Sequence, residues 1–293
     1  MKKYKIALLL AGFGLLVYMT LGCEQPSPPS DEVVVEEEVV STDVTESAPE
    51  TPSEETQIKI ELGERSPAFP GAKAEFLNLK DGDVLEDNNL SVIVNVENYE
   101  LGIQTGTARA KEIANSAKGQ HVHIILDNDP YFANYEAGKP FNIGELESGA
   151  HTLIVFPSRS YHESVKSPGA AEIDNFYVGE EKVDFMLDKS KPTIIYSRPK
   201  GTYKGDGAKK IMLDFYLNNV ELSPNGYKAK YTVKKKDSDD EAESITISEW
   251  KPAFMSGLES GEYVVTLQLL DSEEDLVEGV FNNTKRIITV EAE

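Results

Sequence analysis

Short apolar stretches, some alternating with polar residues and some continuous, recur along the chain from residue 58 onward. They are rich in β-branched and aromatic residues, and turn signals such as Asp81-Gly82 lie between them. This pattern is typical of strands in antiparallel sandwiches. Alanines between Thr107 and Asn115 favour one short helix in a loop between two strands. The predicted strands are Ser91–Val96, His121–Leu126, Thr152–Phe156, Ile211–Leu217, Tyr227–Val233, Tyr263–Leu270 and Arg286–Val290.

An internal repeat divides this β-rich region. Lys139–Gly149 aligns with Lys251–Gly261 at an offset of 112, with six of eleven positions identical. The same offset carries Val178 onto Val290. A tandem duplication of one module explains both matches. The charged run that ends at Pro192 is the predicted linker, because proline cannot continue a strand ladder.

The shared Leu-Glu-Ser-Gly motif has a mechanical interpretation, in which a leucine enters the core, a turn follows and a long strand begins. Immunoglobulin-like and fibronectin-type modules are similar in this arrangement, a likeness of architecture alone. We therefore predict an all-β protein with two tandem immunoglobulin-like antiparallel β-sandwich modules, residues 58–187 and 192–293.

The N-terminus has the parts of a secretory signal. Lys2, Lys3 and Lys5 give a basic start, an apolar run spans Ile6–Val17, and the chain's only cysteine, Cys23, follows Leu-Gly. The apolar run is shorter than the about 20 residues of a membrane span. The Leu-Gly-Cys sequence resembles a bacterial lipobox, which implies that residues 1–22 are a lipoprotein signal peptide and that Cys23 carries lipid. An ordinary cleaved signal and an N-terminal anchor are the alternatives.

Residues 23–57 are predicted to be a lipid-anchored, disordered acidic linker. Positions 24–57 hold eleven acidic residues and no Lys or Arg. Such a composition cannot bury enough apolar surface to offset the entropy of ordering. The formal net charge of −22 makes nucleic acid a poor partner, because binding it relies on Lys and Arg, and we expect no nucleic acid partner. We expect a monomeric outer membrane lipoprotein that faces the periplasm or the cell surface.

All four histidines of the chain lie in the first module. Residues two apart on a strand share a face, so His121 and His123 project together while the residues between them point into the core. Imidazole suits zinc and copper. His151 and His162 join if their strand pairs nearby, so the predicted metal ligands are all four histidines. Solvated histidines, or histidines bonded to a loop, are the alternative.

The second module has the same landmarks with Tyr and Lys in the corresponding strands and no histidine. We therefore expect that the fold does not require the histidines.

Further residues are candidate ligand contacts. Asp127 and Asp129 offer oxygens suited to Ca²⁺. Tyr131 and Tyr161 predict an aromatic surface for a glycan or peptide. Arg159 lies in a basic island suited to an anion, and residues 197–204 form a second such island. Solvated turns, aromatic residues at a core edge and ordinary charged loops are the alternatives.

Signatures of enzymes are missing from the sequence. It contains no Gly-X-Ser-X-Gly elbow, no Gly-rich phosphate loop before a helix and no His-Glu-X-X-His helix. We expect a non-enzymatic binding module that holds a transition metal. The alternatives are a peptide- or protein-binding module without metal, and a hydrolase that uses His with scattered Ser or Asp.

Four stretches carry a resemblance to known proteins: Lys118–His123, Asn128–Tyr131, Ser158–Lys166 and Tyr196–Gly205. They resemble a group of Bacteroidota exported lipoproteins that often carry the label phosphopeptide-binding protein. The resemblance covers the chain from about Gly63 onward and implies export and lipidation. The sequence has no phosphothreonine site of the forkhead-associated type. The order of the histidines is also similar to that of small exported immunoglobulin-like domains of unknown function.

Overall fold

The computed structural model describes residues 58–179 and 187–292. The predicted signal peptide, Cys23 and the acidic linker lie outside the described residues. Among the described residues, no helix has the length and apolar character needed to cross a membrane.

Strands make up nearly all of the regular structure. The strands are β1 (Lys59–Leu62), β2 (Lys73–Phe76), β3 (Val84–Leu85), β4 (Asn89–Glu97), β5 (His121–Leu126), β6 (Tyr131–Asn134), β7 (Pro140–Glu145), β8 (Gly149–Ser158), β9 (Glu172–Val178), β10 (Thr193–Arg198), β11 (Gly201–Lys204), β12 (Ile211–Asn218), β13 (Lys228–Lys235), β14 (Glu243–Ile247), β15 (Ala253–Ser256), β16 (Gly261–Leu270) and β17 (Asn283–Glu291). Every strand predicted from the alternation lies within one of these, except that the predicted Tyr227–Val233 begins one residue before β13. The all-β prediction is therefore confirmed.

The predicted helix is shorter than its alanine content suggested. Only Ala108–Lys111 winds into a 3₁₀ turn, and the side chain of Thr107 makes no capping hydrogen bond to it. A segment this short cannot recover the cost of helix nucleation through propensity alone. A single helical turn, α1 (Asp206–Lys209), precedes β12.

The strands form two sandwiches with the same order. In the first, β2-β4-β7 faces the five-stranded sheet β3-β9-β8-β5-β6. In the second, β10-β12-β15 faces β11-β17-β16-β13-β14. The pairs are antiparallel except for one parallel edge pair in each sandwich, β3 with β9 and β11 with β17. Equivalent strands thus occupy equivalent positions in the two copies.

The register of the repeat is kept in detail. Gly149 pairs with Val178, and Gly261 pairs with Val290, which are the positions related by the offset of 112. Both glycines have positive φ angles, 142° and 150°. Side chains other than glycine rarely adopt such angles, so the turn before β8 and β16 requires glycine.

One strand lies across the predicted boundary. Lys59–Leu62 was assigned to the first module, but β1 pairs antiparallel with β15 of the second sandwich. Ile60 packs against the second core. The division of the remaining chain into residues up to 187 and from 192 stays a prediction, which the strand orders support.

Each sandwich has its own core, formed by alternate residues of its strands. In the first, Val122, Ile124 and Leu126 pack beneath β4 and β8. In the second, Tyr231, Val265 and Leu267 are fully buried. The prediction that the residues alternating with the histidines point into the core is therefore confirmed.

A third apolar cluster joins the two sandwiches. The outer face of β5 and β8 contributes Ile125, Ile154 and Phe156, and the second sandwich contributes Ile195 and Tyr216. The rings of Phe156 and Tyr216 stack at 5.1 Å. The outer face of the first five-stranded sheet is therefore covered by the second sandwich, and this face carries the histidines.

Candidate metal centre

His121 and His123 lie on the covered face of β5. Both side chains have 0 % exposure. Their shared face follows from strand alternation, as predicted. The alternative that this pair is solvated is wrong, because the second sandwich covers the face. A strand pattern shows which residues share a face but does not show what packs on it.

His162 reaches the pair from the turn after β8. Its φ angle is 68°, a left-handed conformation that is uncommon for residues other than glycine, and its backbone N–H donates to Arg159 O at 2.8 Å. This conformation points the imidazole back toward β5. Nδ1 of His162 lies 3.0 Å from Nε2 of His121.

Neighbouring residues hold this turn on both sides. Glu163 accepts hydrogen bonds from Ser66 Oγ and Arg109 Nη1, both at 2.7 Å. The backbone N–H of Ser164 donates to Asp214 Oδ2 of the second sandwich at 2.9 Å. Buried charge-assisted contacts of this kind are strong and directional. The His162 backbone is therefore fixed between the two sandwiches.

The three imidazoles, called the His cluster below, bring one nitrogen each to a common point. These nitrogens lie within 4.8 Å of one another, and Nε2 of His121 is 3.0 Å from Nε2 of His123. A tetrahedral ion with bonds of 2.0–2.1 Å separates its ligand nitrogens by about 3.3 Å. Two of the nitrogen pairs in the His cluster, each at 3.0 Å, lie close to that separation.

Hydrogen bonding fixes the tautomer of His121. Its Nδ1 lies 2.9 Å from the carbonyl oxygen of Gly119, which can only accept, so Nδ1 carries the proton. Nε2 of His121 therefore presents a lone pair toward the other two imidazoles. One lone pair accepts one good hydrogen bond, so His123 and His162 cannot both donate to it. A histidine that ligates a metal usually donates its other N–H to a carbonyl or carboxylate in this way.

Burial keeps the His cluster neutral. It lowers the pKa of His121 to about 4, with a smaller contribution from Arg198. Burial also holds the pKa of His123 and His162 well below the ordinary value, and the positive charges of Arg198 and Lys200 lower both further. Neutral imidazole is the form that binds metals.

Tyr131 links the cluster to the second sandwich. Its hydroxyl lies 2.6 Å from Nε2 of His123 and accepts a hydrogen bond from Arg198 Nη2 at 3.0 Å. The Lys200 ammonium lies 3.9 Å from the centre of the Tyr131 ring. Burial raises the pKa of the Tyr131 hydroxyl. Ser197 Oγ approaches Nδ1 of His123 at 3.4 Å.

His151 does not join the cluster, in contrast to the prediction. It lies near the start of β8, seven residues before Ser158 at the end beside His121, a distance of about 23 Å along a strand. Its Nδ1 contacts Asp127 Oδ2 at 2.6 Å, and this hydrogen bond raises its pKa. Its Nε2 lies 2.9 Å from Glu147 O. The loop-bonding alternative describes His151 correctly.

The predicted calcium contacts are not gathered into a site. Asp127 uses both oxygens locally, since Oδ1 also accepts the backbone N–H of Thr152 at 2.7 Å. Asp129 is exposed. Within residues 58–179 and 187–292, the one group of side chains arranged to hold a metal ion is the His cluster.

The other candidate contacts are buried or engaged. Tyr161 has 1 % exposure and lies near Ser66 Oγ at 3.0 Å, so it offers no surface to a glycan or peptide. Arg159 has 3 % exposure, stacks over Phe69 and donates to the carbonyl of Pro67. Tyr131 reaches the cluster through His123, and the ring of Tyr135 also lies 4.8 Å from that of His121.

Sequence reasoning missed the role of the second basic island. Ser197, Arg198 and Lys200 belong to the second sandwich. Ser197 nevertheless lies beside His123, and both cations contact Tyr131, the hydrogen-bonding partner of His123. The sequence feature that could have indicated them is the pair of cations Arg198 and Lys200 in an otherwise acidic chain. Proximity to the histidines required the docking of the sandwiches, which no local pattern encodes.

The structure shows which residues of the second sandwich stand at the positions of His121 and His123. His121 and His123 lie opposite Ser158 and Phe156, whereas Lys228 and Lys230 lie opposite Leu270 and Gln268, which are 112 residues further on. The lysines therefore occupy the positions of the histidines. Within the described residues no other sandwich covers the equivalent face of the second sandwich, so lysine is tolerated there without a ligand role.

No family model and no curated protein matches this chain. Solved structures with some likeness include fibronectin(III)-like modules of CbhA from Clostridium thermocellum, 12% identical over 75% of this chain and 94% of that chain, with a TM-score of 0.26. Latent PorU from Porphyromonas gingivalis is 12% identical over 81% of this chain and 20% of that chain, with a TM-score of 0.24. The FN1–FN3 domains of chicken CNTN1 are 8% identical over 72% and 68%, with a TM-score of 0.23. TM-scores this low carry no argument, so the fold class rests on the strands themselves.

Proposed function

We propose that this protein is an exported, non-enzymatic binding lipoprotein that holds one transition metal ion at His121, His123 and His162. In this proposal Cys23 carries the lipid, and the acidic linker separates the sandwiches from an outer membrane. The ion sits where the first sandwich meets the second.

One observation carries the proposal. Three buried, neutral imidazoles converge within 4.8 Å, and one of them has its outer N–H bound to the carbonyl of Gly119. Buried polar groups normally satisfy one another by hydrogen bonds. Here the lone pair of His121 Nε2 faces two nitrogens at 3.0 Å, an arrangement that a shared cation satisfies better than a proton.

The hydrolase alternative finds little support in the surroundings of the cluster. A catalytic histidine usually has a carboxylate that orients it and a nucleophile within about 3.2 Å. In the described part of the chain, the hydrogen-bonding partners of the three imidazoles are imidazoles, one phenol, one hydroxyl and one carbonyl.

The test is metal uptake by the full-length protein with His162→Asn and His151→Asn as a matched pair. Asparagine tolerates the left-handed backbone of position 162, so the turn is kept. The unaltered protein and His151→Asn should each bind one Zn²⁺ or copper ion at micromolar metal. His162→Asn should bind about 100-fold or more weakly, because a ligand is lost. Absence of uptake by the unaltered protein ends the proposal, as does equal loss in both variants.

A second candidate is the binding of an acidic peptide or protein at the open face of the second sandwich. Lys230, Lys234 and Lys285 project from β13 and β17 on that face, and none has an ion-pair partner among the described residues. Ile287 beside them is 53% exposed. Lysines grouped in a chain of net charge −22 favour an acidic partner.

A further inference from the structure

The charges around the His cluster bear on which metal ion it takes. Arg198 Nη2 and His123 Nε2 are both hydrogen-bonded to the Tyr131 hydroxyl, at 3.0 and 2.6 Å. The guanidinium therefore lies within about 6 Å of a ligand nitrogen, the range in which charges act strongly on each other. Lys200 adds a second positive charge over the Tyr131 ring.

The side chain of Arg198 is buried in this position. Its side chain has 9% exposure, and its Nε is buried without a hydrogen-bond partner among the described residues. A guanidinium remains charged at all ordinary pH values. Burial also weakens screening by salt, so the charge of Arg198 acts on the cluster more strongly than an exposed charge at the same distance would.

The ligand set offers no negative charge to offset this field. The three imidazoles are neutral donors. The positive charge of Arg198 acts on all three, and that of Lys200 acts on His123 and His162. Coulomb repulsion is proportional to the charge of the bound ion. A divalent ion in the His cluster is therefore repelled twice as strongly as a monovalent ion.

Resting on the proposed function, we propose that the ion of the His cluster is monovalent copper, selected against divalent ions by Arg198 and Lys200 of the second sandwich. Cu⁺ accepts two or three ligands, and the cluster supplies three nitrogens. Structural Zn²⁺ almost always takes four protein ligands, and three imidazoles hold Zn²⁺ in catalytic sites with water as the fourth ligand. In the His cluster that fourth ligand would have to enter a buried site. The second sandwich thus sets the specificity of a site whose ligands all come from the first.

The experiment measures Cu⁺ and Zn²⁺ affinities of the full-length protein. Cu⁺ is titrated anaerobically with a reductant against the chromogenic chelator bicinchoninate, and Zn²⁺ against a chromogenic zinc chelator. One Cu⁺ per chain, bound at least tenfold more tightly than Zn²⁺, is expected. Tighter binding of Zn²⁺ overturns the inference and leaves the proposed function standing. Binding of neither ion overturns both.

Removing the cations tests the cause of the selectivity. Arg198→Gln and Lys200→Gln should each strengthen Zn²⁺ binding. The gain in binding free energy should be about twice as large for Zn²⁺ as for Cu⁺, because the repulsion that is removed is proportional to the charge of the ion. Lys200 is exposed, so its variant folds even where Arg198→Gln does not. Arg286→Gln and Lys204→Gln are the matched controls and should leave both affinities within threefold. Equal gains for the two ions, or no gain for Zn²⁺, contradict the inference.

Tyr131→Phe tests the alternative that the Tyr131 phenolate is itself a ligand of the metal ion. The readout is the visible absorption of the Cu²⁺ form, because a phenolate bound to Cu²⁺ gives an intense charge-transfer band. The unaltered protein should show no such band, and a band that Tyr131→Phe removes would show a phenolate ligand and overturn the inference.

Discussion

His123 and Lys230 occupy the same position in the two sandwiches. His123 lies opposite Phe156, and Lys230 lies opposite Gln268, 112 residues further along the chain. The histidine has 0% exposure because the second sandwich covers it, whereas the lysine is partly exposed. The same strand position therefore carries a ligand in one copy and a surface charge in the other.

A reciprocal exchange tests this difference. His123→Lys places an unpaired ammonium in a buried site beside Arg198, so it should lower the free energy of unfolding by about 3–5 kcal/mol. Lys230→His should change it by no more than about 0.5 kcal/mol, as for most surface substitutions. Urea unfolding followed by circular dichroism measures both. Equal costs would contradict the burial of this face.

Acid should destabilise the metal-free protein because the His cluster is held neutral. The folded-state pKa of these imidazoles lies below the unfolded value near 6.5, so the unfolded state binds more protons when the pH falls. The contribution of the neutral imidazoles to the free energy of unfolding is fully present above pH 6.5. It is lost as the pH falls toward the folded-state pKa, which is about 4 for His121. Each imidazole contributes about 1.4 kcal/mol per pH unit in that window.

Titration of His151 changes the stability in the opposite direction with pH, so this residue supplies the control. Asp127 raises its pKa, so its stabilising contribution is present below the unfolded value and is lost as the pH rises through the folded pKa. Urea unfolding between pH 4.5 and 8 should therefore show a steeper acid loss in His151→Asn than in the unaltered protein. A shallower acid loss in this variant would refute the assignment.

The buried ion pair between Lys166 and Asp214 should hold the sandwiches together. Their side chains are 4% and 0% exposed. Lys166→Met leaves a buried carboxylate without its counter-ion and should cost about 3–5 kcal/mol of unfolding free energy. Lys204→Met breaks an exposed pair with Glu291 and should cost less than about 1 kcal/mol.

A double-variant cycle checks that the cost comes from the pair. Lys166→Met/Asp214→Leu removes both charges and should recover part of the loss, although the backbone N–H of Ser164 then lacks its acceptor. Strict additivity of the single costs would show that the two side chains do not interact.

The open face of the second sandwich should bind acidic peptides through its lysines. Lys230→Glu/Lys285→Glu should abolish binding of a glutamate-rich peptide, and binding to the unaltered protein should weaken as salt rises from 0.05 to 0.5 M. Lys139→Glu is the control, because Lys139 is 68% exposed and lies in the first sandwich. Fluorescence anisotropy of a labelled peptide measures all three. Unchanged binding in the double variant would exclude this face.

Much of the fold could be predicted from the sequence because its information is local. Alternation placed β5 at His121–Leu126, and the Leu-Glu-Ser-Gly repeat located β8 and β16 with their glycine turns. Period-two alternation also assigned His121 and His123 to one face. The helix at Thr107–Asn115 was overestimated, since alanine content favours helix without supplying the caps or packing that a short helix needs.

The sequence by itself determined the strands, the duplication and the pairing of two histidines on one face. Only the tertiary structure decided that this face is covered, that His162 joins it and His151 does not, and that Arg198 lies beside it. Those outcomes depend on contacts between segments far apart in the chain. Hydrophobic alternation specifies which side of a strand is apolar or polar, while the docking of a second sandwich decides which charges and ligands meet there.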